Sequence, residues 1–114
     1  MARGRLRVVV AHEASFPYSM RVKTGDRVSV GQEDDEMPGW LWCTDSDGVG
    51  AWVPDIYLER ENGEGRMLVD YDSTEFTVDV GDELEYLKEA NGWIWCADSE
   101  GALGWVPADK VEET

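Results

Sequence analysis

The sequence predicts an all-β protein, and three observations predict it. A run of aromatic, strand-type residues, Trp40-Leu41-Trp42-Cys43-Thr44-Asp45-Ser46-Asp47-Gly48-Val49-Gly50-Ala51-Trp52-Val53-Pro54, returns as Trp93-Ile94-Trp95-Cys96-Ala97-Asp98-Ser99-Glu100-Gly101-Ala102-Leu103-Gly104-Trp105-Val106-Pro107, without a gap at a shift of 53. Glycine and proline fall where strands must turn or stop, and apolar residues alternate with polar ones between them. No stretch sustains a helical period. All six tryptophans and both cysteines lie inside the two windows, so the chain reads as a duplicated module.

The elements follow in order. Leu6 to Ala11 is an apolar strand, followed by the loop His12 to Tyr18. Gly25-Asp26 marks a turn after Met20 to Thr24. Val28 and Val30 alternate with Arg27 and Ser29, a half-buried strand. The loop Gly31 to Gly39 leads into the first tryptophan hairpin, where Asp47-Gly48 supplies the tight turn and Pro54 ends the strand. Along the first strand of the hairpin, Trp40 and Trp42 share one face while Leu41 and Cys43 share the other. Copy two begins near Met67 to Tyr71. Its segment Phe76 to Asp82 matches residues 20–26 at a shift of 56. Leu84 and Tyr86 alternate with Glu83 and Glu85, and Glu100-Gly101 turns the second hairpin.

Between the copies, Arg60-Glu61-Asn62-Gly63-Glu64-Gly65-Arg66 is polar and carries two glycines. It reads as a linker, which divides the chain into modules 6–59 and 67–114 joined by 60–66. Seven extended residues reach at most about 25 Å, and a unit this size has a radius of gyration of about 10 Å. The modules are therefore expected to lie together in a monomer. Units of this size bury only about 60% of their unfolded surface and are marginal alone.

Charge excludes several roles. The net charge is −15, with 25 acids against 10 bases, and a phosphate backbone is bound by Lys and Arg, so nucleic acid is not an expected partner. Residues 1–65 carry 12 acids and 7 bases and residues 66–114 carry 13 and 3, which concentrates the acidity in copy two. No apolar run approaches membrane-spanning length. The basic start Met1-Ala2-Arg3-Gly4-Arg5-Leu6-Arg7 has no apolar core behind it and reads as an arm, not a signal peptide. Cys43 and Cys96 occupy equivalent places and read as buried free thiols, which fits a reducing cytoplasm.

The order of these motifs resembles the Src-homology-3 family, a five-stranded, partly open barrel. Gly25-Asp26, Trp40, Trp52-Val53-Pro54 and Tyr57 carry the resemblance in copy one. Leu68-Val69-Asp70-Tyr71, Gly81-Asp82, Trp93 and Gly104-Trp105-Val106-Pro107 carry it in copy two. It covers nearly the whole chain and implies two such barrels in tandem. In copy one, Val10 and His12 stand where the family has the tyrosines of its first motif. In copy two, Val69 replaces the first of these tyrosines and Lys110 replaces the final one. These tyrosines line the peptide groove in the family, so neither copy keeps the full aromatic set.

The resemblance implies a non-enzymatic interaction module that binds short basic or proline-containing segments. Proline ridges are preformed and cost little entropy to dock. Trp40 and Trp93 match the groove tryptophan, with Pro54, Tyr57, His12, Tyr71 and Pro107 as neighbours. The acidic loop Glu33-Asp34-Asp35-Glu36 would pair with a base in the ligand. Trp42 and Trp95 lie on the groove-side face, and a large exposed indole implies a cover, either the other copy or a partner. Trp52 and Trp105 read as structural. Two alternatives stand beside this. In one, the tryptophan faces bury each other in a structural or assembly protein. In the other, Trp40, Tyr57 and nearby carboxylates form an aromatic cage for a methylated amine. Asp45-Ser46-Asp47-Gly48 is not a calcium loop, because Ile56 stands where the last ligand is needed. With one histidine and no companion ligands, no metal, cofactor or His-based catalysis is expected.

Overall fold

The computed structural model describes residues 4–16 and 18–114. Met1-Ala2-Arg3 of the expected arm and Pro17 of the first loop lie outside the described residues. In chain order the strands are β1 (Arg5–Val8), β2 (Arg21–Val22), β3 (Arg27–Glu33), β4 (Trp40–Thr44), β5 (Gly50–Pro54) and β6 (Leu58–Glu61). They continue as β7 (Glu64–Met67), β8 (Tyr71–Asp72), β9 (Glu83–Ala90), β10 (Trp93–Ala97), β11 (Leu103–Pro107) and β12 (Val111–Glu113). Short 3-10 turns at Asp55–Tyr57 and Ala108–Lys110 follow the two prolines. The described residues contain no α-helix, so the chain is all-β, as the residue pattern predicts.

The described residues form three sheets, with strand orders β11-β10-β9-β1-β12, β5-β4-β3-β7-β6 and β2-β8. Among the described residues neither five-stranded sheet closes on itself, because its two end strands are not paired with each other. Both tryptophan hairpins fold as expected. Trp42 is paired with Trp52, and Trp95 with Trp105. Gly48 and Gly101 take φ of 84° and 86° in their turns. Asp45 Oδ1 accepts the amides of Asp47 and Val49, both at 2.9 Å. Asp98 Oδ1 accepts those of Glu100 and Ala102 at the same distance.

The chain divides into two compact units, one split (Met1–Pro17 with Thr74–Thr114) and one continuous (Tyr18–Ser73). This corrects the expected division into 6–59, 60–66 and 67–114. The first strands of the two copies are exchanged. β1 lies between β9 and β12, with Leu6 paired to both Leu84 and Glu113. β7 lies between β3 and β6, with Gly65 paired to Val28 and Arg60.

The reason is local. The stretch 60–66, expected as a linker, is a tight hairpin in which Glu61 pairs with Glu64. Asn62 and Gly63 have φ of 52° and 81°, the positive values that a two-residue hairpin turn requires and that Asn-Gly favours. Closing so short a loop costs less chain entropy than closing a long one, so β7 takes the place beside β6. β1 then completes the sheet of the second copy. The charge is redistributed accordingly. The split unit carries 12 acids and 5 bases and the continuous unit 13 and 5. Between the two folded units the acidity is therefore even.

In the split unit the core is Leu6, Val8, Val78, Leu84, Ile94, Cys96 and Val106. The two residues from β1 thus serve a core otherwise drawn from the other end of the sequence. The continuous unit buries Val28, Leu41, Cys43, Val53, Leu58 and Met67. Both cysteines are free and fully buried. Burial pushes the Cys43 thiol up to about 11 and the Cys96 thiol up to about 12.

Candidate functional site

Two corners of the molecule gather the residues singled out from the sequence, one in each unit. The exchange of first strands decides which residues meet. His12 is brought to Trp93 and Lys110, and Tyr71 to Tyr57. Sequence order pairs them the other way, His12 with the Trp40 copy and Tyr71 with the Trp93 copy.

In the continuous unit the corner is aromatic. The Tyr57 and Tyr71 rings lie 5.8 Å apart with their planes at 62°, an edge-to-face arrangement that suits the ring quadrupoles. The Tyr71 hydroxyl donates to the Trp52 carbonyl at 2.7 Å, which fixes the ring and satisfies its polar tip. Trp40 is paired with Pro54 across β4 and β5, and the Asp55 amide donates to the Gly39 carbonyl at 2.8 Å. Trp40 is only 6% exposed and Tyr71 5%, and Pro54 is buried. Tyr57 is half-buried, and desolvation raises its phenol above the ordinary value. The accessible aromatic surface of this corner is therefore that of Tyr57.

The acidic loop of the same unit splits by role. Glu33 belongs to β3, and its Oε2 accepts the Gly39 amide at 2.9 Å. Asp34 Oδ1 accepts the Glu36 amide at 2.9 Å. These two carboxylates brace the approach to β4. Asp35 and Glu36 are exposed.

In the split unit the corner is polar. His12 packs edge-on against Trp93, with ring centroids 5.5 Å apart and planes at 79°. Its Nε2 lies 3.0 Å from Glu75 Oε1, and its Nδ1 lies 3.4 Å from Lys110 Nζ. A lysine ammonium can only donate, so Nδ1 accepts and Nε2–H donates to Glu75. Glu75 Oε1 also accepts from the Ser15 amide and hydroxyl at 3.2 Å and 3.1 Å. The His12 side chain is 10% exposed and that of Glu75 16%. His12 is held further by a bridge with Val78, their amides donating to each other's carbonyls at 3.0 Å and 2.8 Å. Trp93 is half-buried and Pro107 buried. Glu75 and Lys110 were not expected to converge on His12, because only the exchanged strand brings the three together.

Trp42 and Trp95 are half-buried and rest on their own hairpins. Trp42 meets Trp52 at 5.1 Å between centroids, and Trp95 meets Trp105 at 5.2 Å. The Trp42 indole also lies over Gly50, where an added Cβ would enter the ring. Lys88 Nζ sits 6.0 Å from the Trp105 ring.

Among the described residues no group of His, Cys, Asp and Glu is arranged to hold a metal ion, and no helix is long and apolar enough to cross a membrane. No family model matches the chain, and no curated protein or solved structure does.

Proposed function

We propose that the chain is a non-enzymatic interaction protein made of two Src-homology-3-like modules, and that the continuous unit docks a short basic or proline-containing segment across Tyr57. The observation that carries this reading is the Tyr57–Tyr71 pair, 5.8 Å apart. Neither copy holds the full aromatic set in sequence order, yet exchange of the first strands gathers Trp40, Pro54, Tyr57 and Tyr71 in one unit. Buried Trp40 and Tyr71 stiffen the site, and half-buried Tyr57 offers a ring with few rotamers to lose on binding. Exposed Asp35 and Glu36, in a unit of 13 acids and 5 bases, favour a cationic ligand.

Isothermal titration of the whole chain with a proline-rich peptide carrying Arg and Lys tests the reading. Truncating a central aromatic anchor typically costs about 2 kcal/mol, roughly thirtyfold in Kd. Tyr57→Ala is expected to weaken binding by that order, and Lys110→Ala to leave it unchanged. Equal binding by Tyr57→Ala and the parent sinks the groove.

One observation favours a structural role instead. Trp40, the residue that matches the groove tryptophan, is 6% exposed, too deeply buried to offer its face to a ligand. The same titration separates the two readings: no binding of the proline-rich peptide by the parent chain supports the structural one, and binding that Tyr57→Ala weakens supports the groove.

A further inference from the structure

The split unit holds a charged relay that the peptide reading does not use. Glu75, His12 and Lys110 come from three distant parts of the sequence and meet in a line, with His12 in the middle. The groups facing the imidazole among the described residues are the Glu75 carboxylate, the Lys110 ammonium and the uncharged Trp93 edge. In the continuous unit the two corresponding positions hold Tyr71 and Tyr57, which carry no charge near neutral pH.

The contact between Lys110 and His12 exists only while Nδ1 is unprotonated. An added proton there converts the acceptor into a donor and places two cations 3.4 Å apart. On the opposite edge, the same proton turns the hydrogen bond to Glu75 into an ion pair and strengthens it. One edge of the ring therefore tightens as the other breaks. The Lys110 backbone is held throughout, because its carbonyl accepts the amides of Val9 and Val10 at 2.8 Å and 3.2 Å. Only its side chain is free to leave.

We propose that His12 is an acid-operated latch in the split unit: neutral, it ties Lys110 to Glu75 through its ring; protonated, it keeps Glu75 and ejects the Lys110 side chain into solvent. The outcome is a local change from one positive charge to two in a strongly acidic unit. This inference does not depend on peptide binding by the other unit.

The test uses the whole chain, which has one histidine. A charged imidazole beside an indole alters its emission, so Trp93 is the built-in reporter. Tryptophan fluorescence followed from about pH 8 to 5 is expected to change reversibly while the far-ultraviolet dichroism stays constant. The change is expected to vanish in Trp93→Phe and in His12→Gln. In Lys110→Met it is expected to persist with its midpoint moved to higher pH, since a repelling cation is gone. A transition that survives in Trp93→Phe, or a midpoint unmoved by Lys110→Met, overturns the latch. Nitrogen-15 spectra of the imidazole give a check that needs no variant. The proton is expected on Nε2 at pH 8, and finding it on Nδ1 rejects the assignment.

Discussion

The amide of Gly25 donates to the carbonyl of Met67 at 2.7 Å. The equivalent glycine of the other copy, Gly81, donates to Val8 at 2.8 Å. Each Gly-Asp turn is thus docked on the first strand of the opposite copy. Met67 opens copy two in the sequence but belongs to the core of the continuous unit, and it is 1% exposed.

Fragment boundaries follow from this relationship. Residues 18–73 contain every strand of their sheets and are expected to unfold cooperatively on their own. Residues 67–114 lack β1, and with it Leu6 and Val8, and are expected to be unfolded. Thermal dichroism of the two fragments checks this. A folded 67–114 and an unfolded 18–73 would refute the exchange. Adding a peptide of residues 4–16 to the fragment 74–114 is expected to restore strand signal.

Tyr71→Phe removes the half-buried hydrogen bond to the Trp52 carbonyl at little change in shape. The net loss is about 1 kcal/mol, or a fall in Tm of roughly 4–8 °C for a domain this small. Thermal unfolding measures it on the fragment 18–73 or on the whole chain. No change in Tm would show that the hydroxyl contributes nothing.

Gly50→Ala drives a methyl into the Trp42 indole. Overpacking of this kind costs about 1–3 kcal/mol. Urea unfolding is expected to show the loss, and combining it with Trp42→Leu is expected to give less than the sum of the single changes, because the clash is shared. Strict additivity would mean that the indole yields freely.

The buried thiols make stability fall in alkali. An unfolded cysteine ionises near the ordinary value of 9.0, whereas Cys43 does so at about 11 and Cys96 at about 12. Between these values the unfolded chain is the form stabilised by losing protons. The thiol contribution is therefore intact below pH 9 and lost as pH rises through 11 to 12. Cys43→Ala with Cys96→Ala is expected to flatten this part of the curve. At pH 8 both thiols are expected to react with a disulfide reagent only after urea is added.

The two tryptophan hairpins were legible from the residues alone. Trp-x-Trp-Cys runs, Asp47-Gly48 and Glu100-Gly101 turns and terminating prolines are local signals, and local signals fix local structure. The alternation that buries Leu41 and Cys43 could be read in the same way. The candidate site was legible as a set of residues but not as a set of neighbours. Glu75 and Lys110 give no sign in sequence that they flank His12. The exchanged strands left one clue, Asn62-Gly63, whose hairpin preference was hidden in a polar, glycine-containing stretch that also suits a linker.

The sequence by itself determined the two tryptophan hairpins, their turns and the doubling of the module, because each depends on residues within a few positions of one another or on a plain repeat. Only the tertiary structure decided which first strand completes which sheet. Both copies offer a short strand with alternate residues buried, Leu6 and Val8 in β1 and Gly65 and Met67 in β7, to a similar slot, so this pattern does not choose between them. The tight turn at Asn62-Gly63 does, by keeping β7 beside β6 and leaving the slot in the second copy to β1.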